Sequence, residues 1–183
     1  AKNLKKAAKI IIKIHKGYLP NTYQDLIKLP GIGHYTASAI LSIAFDKSYI
    51  ALDGNLIRVL SRLLSLRGDT TKTFFQRSLS RYGQQLIDGV KPGEFNQALM
   101  DLGSSVCLPR KPRCLICPWE SRCKSREAGT QEEIPEKKKN PEMRLSQEFA
   151  VVIIHRSRIL IQKRSHSRLL QDMWEFPSGQ INR

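Results

Sequence analysis

The sequence predicts a mainly α-helical domain closed by a cysteine loop, followed by the first β-hairpin of a second, α/β domain. Three observations predict it. From Leu4 to Val106 apolar residues recur at helical spacing, and no stretch alternates with a period of two. The only cysteines of the chain, Cys107, Cys114, Cys117 and Cys123, then fall in one window spaced C-x6-C-x2-C-x5-C. Beyond a polar stretch, short β-branched runs replace the helical period.

A first helix is expected from Leu4 to His15. Leu4, Ala7, Ala8, Ile11 and Ile14 form one face, Lys2, Lys5, Lys6, Lys9, Lys13 and Lys16 the other, and Gly17 is the expected cap. Thr22 and Asp25 open a short second helix in a capping-box arrangement that ends at Leu29-Pro30. A third helix covers Tyr35 to Phe45. Asp53 begins the fourth, striped by Leu56, Val59, Leu60, Leu63 and Leu64 and ended by Gly68. The fifth runs from Phe74 to Ile87 with a break or kink at Gly83, and the sixth from Phe95 to Val106.

Residues 1–123 therefore read as one helical domain. Residues 124–146 have few large apolar side chains and mixed charge, and read as a linker. In 147–183, Phe149–Ile154 and Ile159–Arg164 make two strands around a turn at His155–Arg158. About 35 residues cannot bury a self-sufficient core, so this second domain is expected to be incomplete and both chain ends to be cut.

The chain carries 31 Lys+Arg against 16 Asp+Glu, a formal net charge of +15. That imbalance points to a polyanionic partner. No run approaches the roughly 18 apolar residues of a spanning helix, and no targeting peptide is visible. The lysine-rich first helix could lie on a bilayer, but it reads equally as a surface helix over a core.

Four thiolates in one window can hold a tetrahedral zinc or an iron–sulfur cluster, or could form two disulfides. Without a secretory signal the disulfides are the weakest reading. A single short C-x2-C pair favours a cluster over zinc. Between the first two cysteines, Arg110, Lys111 and Arg113 stand in a loop stiffened by two prolines, Pro109 and Pro112. They suit phosphate contacts, or are ordinary solvated charges. In Leu29-Pro30-Gly31-Ile32-Gly33-His34-Tyr35-Thr36-Ala37, two glycines permit a hairpin whose N–H groups point outward at a helix N-terminus, an anion site. The alternative is a turn that needs glycine only for packing. Asp53 sits at a helix N-cap, where backbone N–H groups and the helix end stabilise negative charge. It is a cap, and could be more.

The hairpin LPGIGxYTA, the segment LDGNLIRVLSR and the cysteine loop occur in the order found in the helix-hairpin-helix DNA glycosylases of the endonuclease III superfamily, which residues 1–123 resemble. Ala1–Leu4, LDGNLIRVLSR and Phe95–Gly103 resemble more specifically the adenine DNA glycosylase (MutY) family. Ile161–Arg164 and Leu169–Gly179 resemble the start of the Nudix-like domain of that family. The resemblance implies a helix-hairpin-helix glycosylase fold with a [4Fe-4S] cluster on Cys107, Cys114, Cys117 and Cys123. It implies a catalytic role for Asp53, with Tyr35 beside the sugar where strand-cutting relatives carry a lysine. Gly31, Ile32, Gly33, His34, Asn55, Arg110, Lys111 and Arg113 would contact DNA. The implied activity is removal of adenine mispaired with 8-oxoguanine or guanine from duplex DNA by a monomer, without membrane contact, in a bacterial cytoplasm or a eukaryotic nucleus. The alternatives are a bifunctional glycosylase/lyase or an inactive DNA-binding fragment. In the family the acid that protonates adenine, a Glu, and the wedging glutamines lie upstream of the first helix seen here. This chain is therefore expected to bind DNA without excising a base. Hydrolase activity of the Nudix kind, which needs a metal box after Gly179, cannot be read from the sequence.

Overall fold

The computed structural model describes residues 1–136, 147–164 and 170–181. The chain divides into two compact units, Ala1–Lys138 and Lys139–Arg183.

In the first unit the described residues form α1 (Lys2–His15), α2 (Tyr23–Leu26), α3 (His34–Phe45), α4 (Gly54–Leu64), α5 (Thr73–Ile87), α6 (Pro92–Ser105) and α7 (Lys124–Glu127). Short 3-10 turns lie at Cys114–Ile116 and Glu120–Arg122. α1, α3 and α4 end in non-glycine residues of left-handed backbone: Lys16 (φ 54°), Asp46 (φ 51°) and Ser65 (φ 53°). The expected caps Gly17 and Gly68 lie just beyond, also at positive φ. α4 stops at Ser65 because the Leu66 N–H closes back on the Ser61 carbonyl at 2.8 Å.

The apolar stripes meet in two clusters. Ala7, Leu26, Leu29, Ala37 and Leu41 join α1, α2 and α3. α1 meets this cluster through Ala7, Ile10 and Ile11, so Leu4, Ala8 and Ile14 of its expected apolar face are exposed instead. Ile50, Leu56, Val59, Leu60, Phe75, Leu79, Ile87 and Leu99 join α4, α5 and α6. Asn96 of α6, fully buried, connects the two. Its Oδ1 accepts from the Ala51 N–H at 3.0 Å, and its Nδ2 donates to Ser42 Oγ and the Tyr49 carbonyl, both at 2.9 Å. The segment leading to α4 is thereby fixed to both neighbours.

α5 runs unbroken through Gly83, so the expected kink is absent. Gly83 is there for packing: a Cβ would lie 2.7 Å from Ile50 Cγ1 and 3.3 Å from Leu60 Cδ1. Residues 124–136, polar in composition, are also ordered. α7 packs on α4, Ser125 and Ile134 are fully buried, and Arg67 pairs with Glu133 at 2.5 Å. Backbone bonding explains how so polar a stretch packs, and Ile134 is its one large apolar anchor. Residues 137–146 of the expected linker lie outside the described residues.

The second unit holds three antiparallel pairs. β1 (Glu148–Ala150) pairs with β6 (Ser178–Gln180), β2 (Ile154–His155) with β3 (Arg158–Ile159), and β4 (Gln162–Lys163) with β5 (Trp174–Glu175). The β2–β3 turn lies where a hairpin was expected, but His155 and Arg158 are paired strand residues, and the expected strands Phe149–Ile154 and Ile159–Arg164 are each broken, because β1 and β4 pair with β6 and β5 instead of with each other. Arg156 and Ser157 both take positive φ, 45° and 61°, the two-residue geometry that matches strand twist. Arg164 pairs with Glu175 at 2.9 Å, and Lys163 lies 5.5 Å from the centre of the Trp174 ring. Leu169, at the start of the segment likened to a Nudix-like domain, lies outside the described residues. Among the described residues no helix is long and apolar enough to cross a membrane.

Candidate active site and cysteine centre

The chain turns from α2 into α3 through Leu29–Gly33. Leu29 N–H bonds the Leu26 carbonyl at 3.0 Å and Ile32 N–H the Leu29 carbonyl at 3.1 Å. Gly31 is needed twice. Its φ is +85°, and a Cβ would lie 3.0 Å from Asn3 Cβ of α1. Gly33 differs from the expectation that both glycines bend the chain. Its φ −98°, ψ −177° is extended backbone open to any residue, and a Cβ there would meet open space. What Gly33 supplies is a bare N-cap. No side chain caps α3, so its first-turn N–H groups remain for an outside acceptor.

Ile32 packs half-buried on the first core cluster. His34 is exposed, and its Nδ1 is hydrogen-bonded to the Tyr23 hydroxyl. Its ring stacks on Tyr23 with centroids 6.1 Å apart, and Tyr23 stacks on Tyr49 at 5.7 Å. Burial, with the neighbouring Tyr49, raises the Tyr23 phenol above its ordinary value. One turn of hairpin and the ring of its last residue are thus set by a column of aromatics. Tyr35, 43% exposed, lines an open cleft of ≈ 560 Å³ with Ser38, Ile50, Leu52 and, across from them on α5, Thr73, Gln76, Arg77 and Ser80.

Asp53 is the N-cap of α4, half-buried, next in sequence to the cleft residue Leu52. Its Oδ1 accepts from the Leu56 N–H at 2.7 Å and its Oδ2 from Asn55 Nδ2 at 3.2 Å. Asn55 is itself held. Its Oδ1 accepts from Arg58 Nη2 at 2.8 Å, which also donates to the Gly103 carbonyl at 2.6 Å. Arg58 Nε donates to the Cys107 carbonyl at 2.8 Å. Burial pulls the Arg58 guanidinium below its ordinary value, partly offset by Cys107 and Asp53. A chain of hydrogen bonds thus runs from the Asp53 carboxylate through Asn55 and Arg58 to the backbone of Cys107. Gly103 makes it possible, since a Cβ there would lie 2.6 Å from Asn55 Cβ.

All four cysteines are free and half-buried, and all line one small cavity of ≈ 30 Å³, together with Arg62, Arg126 and Gln131. None of the four is paired in a disulfide in this structure. Among the described residues no three His, Cys, Asp or Glu are gathered closely enough to hold one metal ion. All four thiols face the same cavity, and a four-thiolate donor set suits either a tetrahedral zinc or an iron–sulfur cluster. Burial pushes the Cys114 and Cys117 thiols up, so thiolates here need a compensating cation. The donor set fits an iron–sulfur cluster. Arg110, Lys111 and Arg113 stand exposed on the loop closed by the Arg113 N–H on the Val106 carbonyl at 2.9 Å. They are not part of the cleft lined by Tyr35.

Asn96, Arg58, Arg62 and Gly103 were not singled out from sequence as site residues. They entered there only as letters of the segments LDGNLIRVLSR and Phe95–Gly103. Only the i, i+4 spacing of the two arginines on the helix that Asp53 caps, aimed at the cysteine loop, could have marked them.

Residues 15–43 match the helix-hairpin-helix motif family. The human adenine DNA glycosylase is 41% identical over 73% of this chain and 24% of its own length. The Arabidopsis thaliana adenine DNA glycosylase is 36% identical over 100% of this chain and 31% of its own. That of Buchnera aphidicola (Acyrthosiphon pisum) is 34% identical over 97% of this chain and 51% of its own. The chain thus spans between about a quarter and half of the curated relatives it matches. Among solved structures, a thermostable thymine-DNA glycosylase superposes with TM-score 0.62 at 31% identity, over 69% of this chain and 58% of that one. Endonuclease III in a non-covalent DNA complex gives 0.58 at 24% identity, over 71% and 59%. By sequence and by fold, the chain is a homologue of the adenine DNA glycosylases, MutY-like and built on the mainly helical, endonuclease III-like helix-hairpin-helix fold.

Proposed function

We propose that this chain belongs to a base-excision enzyme of duplex DNA, one that hydrolyses the N-glycosidic bond of adenine mispaired with 8-oxoguanine or guanine. The observation that carries the reading is the Asp53 carboxylate. It is held by the Leu56 N–H and Asn55 at the start of α4, one residue from the cleft lined by Tyr35. As the base leaves, positive charge builds on the sugar. A fixed carboxylate stabilises that charge without reorganising. Asn55 and Arg58 hold its orientation, so the carboxylate cannot turn away toward solvent. The target nucleotide leaves the stack first. The bare N-terminus of α3, with Gly31, Ile32, Gly33 and His34, binds a backbone phosphate of the same strand, and Arg110, Lys111 and Arg113 a second one.

Cys107, Cys114, Cys117 and Cys123 would hold a [4Fe-4S] cluster. Bound there, it supplies the folding constraint of the loop, from which Cys107 anchors Arg58. Position 35 holds a phenol, and a lyase that forms a Schiff base needs an amine. The reading is therefore a monofunctional glycosylase. Residues 147–183 open a Nudix-like domain on this reading, supported by relatives whose match extends over all or nearly all of the chain.

The test is adenine release from a duplex with one adenine opposite 8-oxoguanine, measured in the full-length protein alongside borohydride trapping on an abasic duplex. Release without a trapped adduct is expected. A trapped adduct would favour the bifunctional reading, and no release of any base would sink the enzyme reading. Iron and sulfide analysis of protein purified without oxygen checks the cluster. A colourless protein with stoichiometric zinc would overturn it.

A further inference from the structure

Among the described residues Arg62 is the only fully buried charged side chain, 2% exposed. No carboxylate among them pairs with it. Its guanidinium instead gathers two separate stretches of chain. Nη1 donates to the Leu108 carbonyl at 2.6 Å and reaches Cys107 Sγ at 3.3 Å, and Nη2 donates to the Pro109 carbonyl at 3.2 Å. Nε donates to the Ile134 carbonyl at 2.7 Å. The first stretch opens the cysteine loop. The second is the strap that follows the last cysteine, residues 124–136. The strap lies on α4 through α7, buried Ser125 and buried Ile134. Cys123 Sγ donates to Arg62's own carbonyl at 3.5 Å, so the residue meets the cysteine centre at both its ends.

A guanidinium without a carboxylate is costly to bury. Carbonyl dipoles satisfy its donors but do not cancel its charge. The sulfurs are the other candidates. Four thiolates around a metal centre bring negative charge to the cavity wall that Arg62 lines, whereas four protonated thiols bring none. We propose that Arg62 is the counter-ion of the four-thiolate centre, and that it makes docking of residues 124–136 on α4 conditional on that centre being filled. This rests on the reading that the four cysteines hold a metal centre. When the metal leaves, the loop carbonyls lose their fixed positions and the charge loses its counterpart. Arg62 then turns to water and releases Ile134. The segment leading out of the helical unit carries a latch that senses the metal.

Amide exchange over residues 128–136 and trypsin cleavage after Lys124 and Arg126 read the latch directly. They are measured on the protein as purified and after anaerobic chelation, with exchange in α3 as the internal control. Chelation should speed exchange and cleavage in the strap at least tenfold while α3 stays protected. Arg62→Lys keeps the charge but cannot span both stretches. It should retain metal by elemental analysis while the strap exchanges at least tenfold faster. Arg62→Met should lose both metal and strap protection. Arg67→Ala removes only the exposed pair with Glu133 and should change neither beyond twofold. Iron or zinc absent from the purified protein would overturn the reading of the centre. Metal present, with a strap that ignores both chelation and Arg62→Lys, would overturn the latch alone.

Discussion

At the scale of single residues, the site depends on a carboxylate whose every contact is provided for. Asp53→Asn keeps the size of the side chain and a capping oxygen for the Leu56 N–H. The fold should survive, and binding to a mispaired duplex should stay within about threefold. The charge opposite the developing cation is lost, a barrier increase on the order of 3 kcal/mol or more. Single-turnover adenine release should therefore fall at least a hundredfold. Gly103→Ala acts on the same carboxylate from a distance. Its new methyl would lie 2.6 Å from Asn55 Cβ, and such overpacking costs about 1–3 kcal/mol. Urea unfolding should report that loss, and adenine release should fall as well because Asn55 no longer meets Asp53. Asp53 was legible in the sequence as an N-cap, since capping has a local signature. Asn96 and Gly103 were not, because their roles are made by residues far away in the chain: Ala51 and Asn55 are brought to them only by packing.

At the scale of elements, α1 and the cysteine loop present cations outward without burying them, whereas Arg58 and Arg62 of α4 are turned in. Composition cannot tell these apart, and the +15 charge is a sum over both kinds. The loop cations are exposed and held by the Arg113–Val106 bond. Replacing Arg110, Lys111 and Arg113 by Ala should lower the slope of log K against log salt for duplex binding by about two to three. An unchanged slope would mean that this loop does not touch phosphate. Cys114→Ser or Cys117→Ser should abolish the broad visible absorbance expected of an iron–sulfur protein and destabilise the loop. Helix positions were most legible where the 3.6-residue period is strong, in α1, α4 and α5. The polar stretch after Cys123 was misread as free linker up to residue 136. It is held by its own backbone bonds, by Arg62 Nε donating to the Ile134 carbonyl and by the single buried side chain of Ile134, none of which leaves a periodic trace.

At the scale of the whole molecule, the helical unit is two apolar clusters joined across a cleft, with α4 touching α5, α6 and α7. The order hairpin, aspartate, cysteine loop was legible because each motif is contiguous. The cleft was not, since Tyr35 and Leu52 come from one side and Gln76 and Arg77 from the other. α4 has a consequence of its own. Leu56, Val59, Leu60 and Leu63 are buried in the core, while Asn55 is tied to Asp53 and Arg58, Arg58 to α6 and the loop, and Arg62 to the loop and the strap. An ordinary surface helix has an outer side on which substitutions accumulate without harm. α4 has almost none. A saturation library selected for function should recover very few replacements along Asp53–Leu63, while Lys5, Lys9 and Lys13 of α1 accept most polar residues. Over generations α1 is free to vary, and α4 should keep its length and nearly every letter.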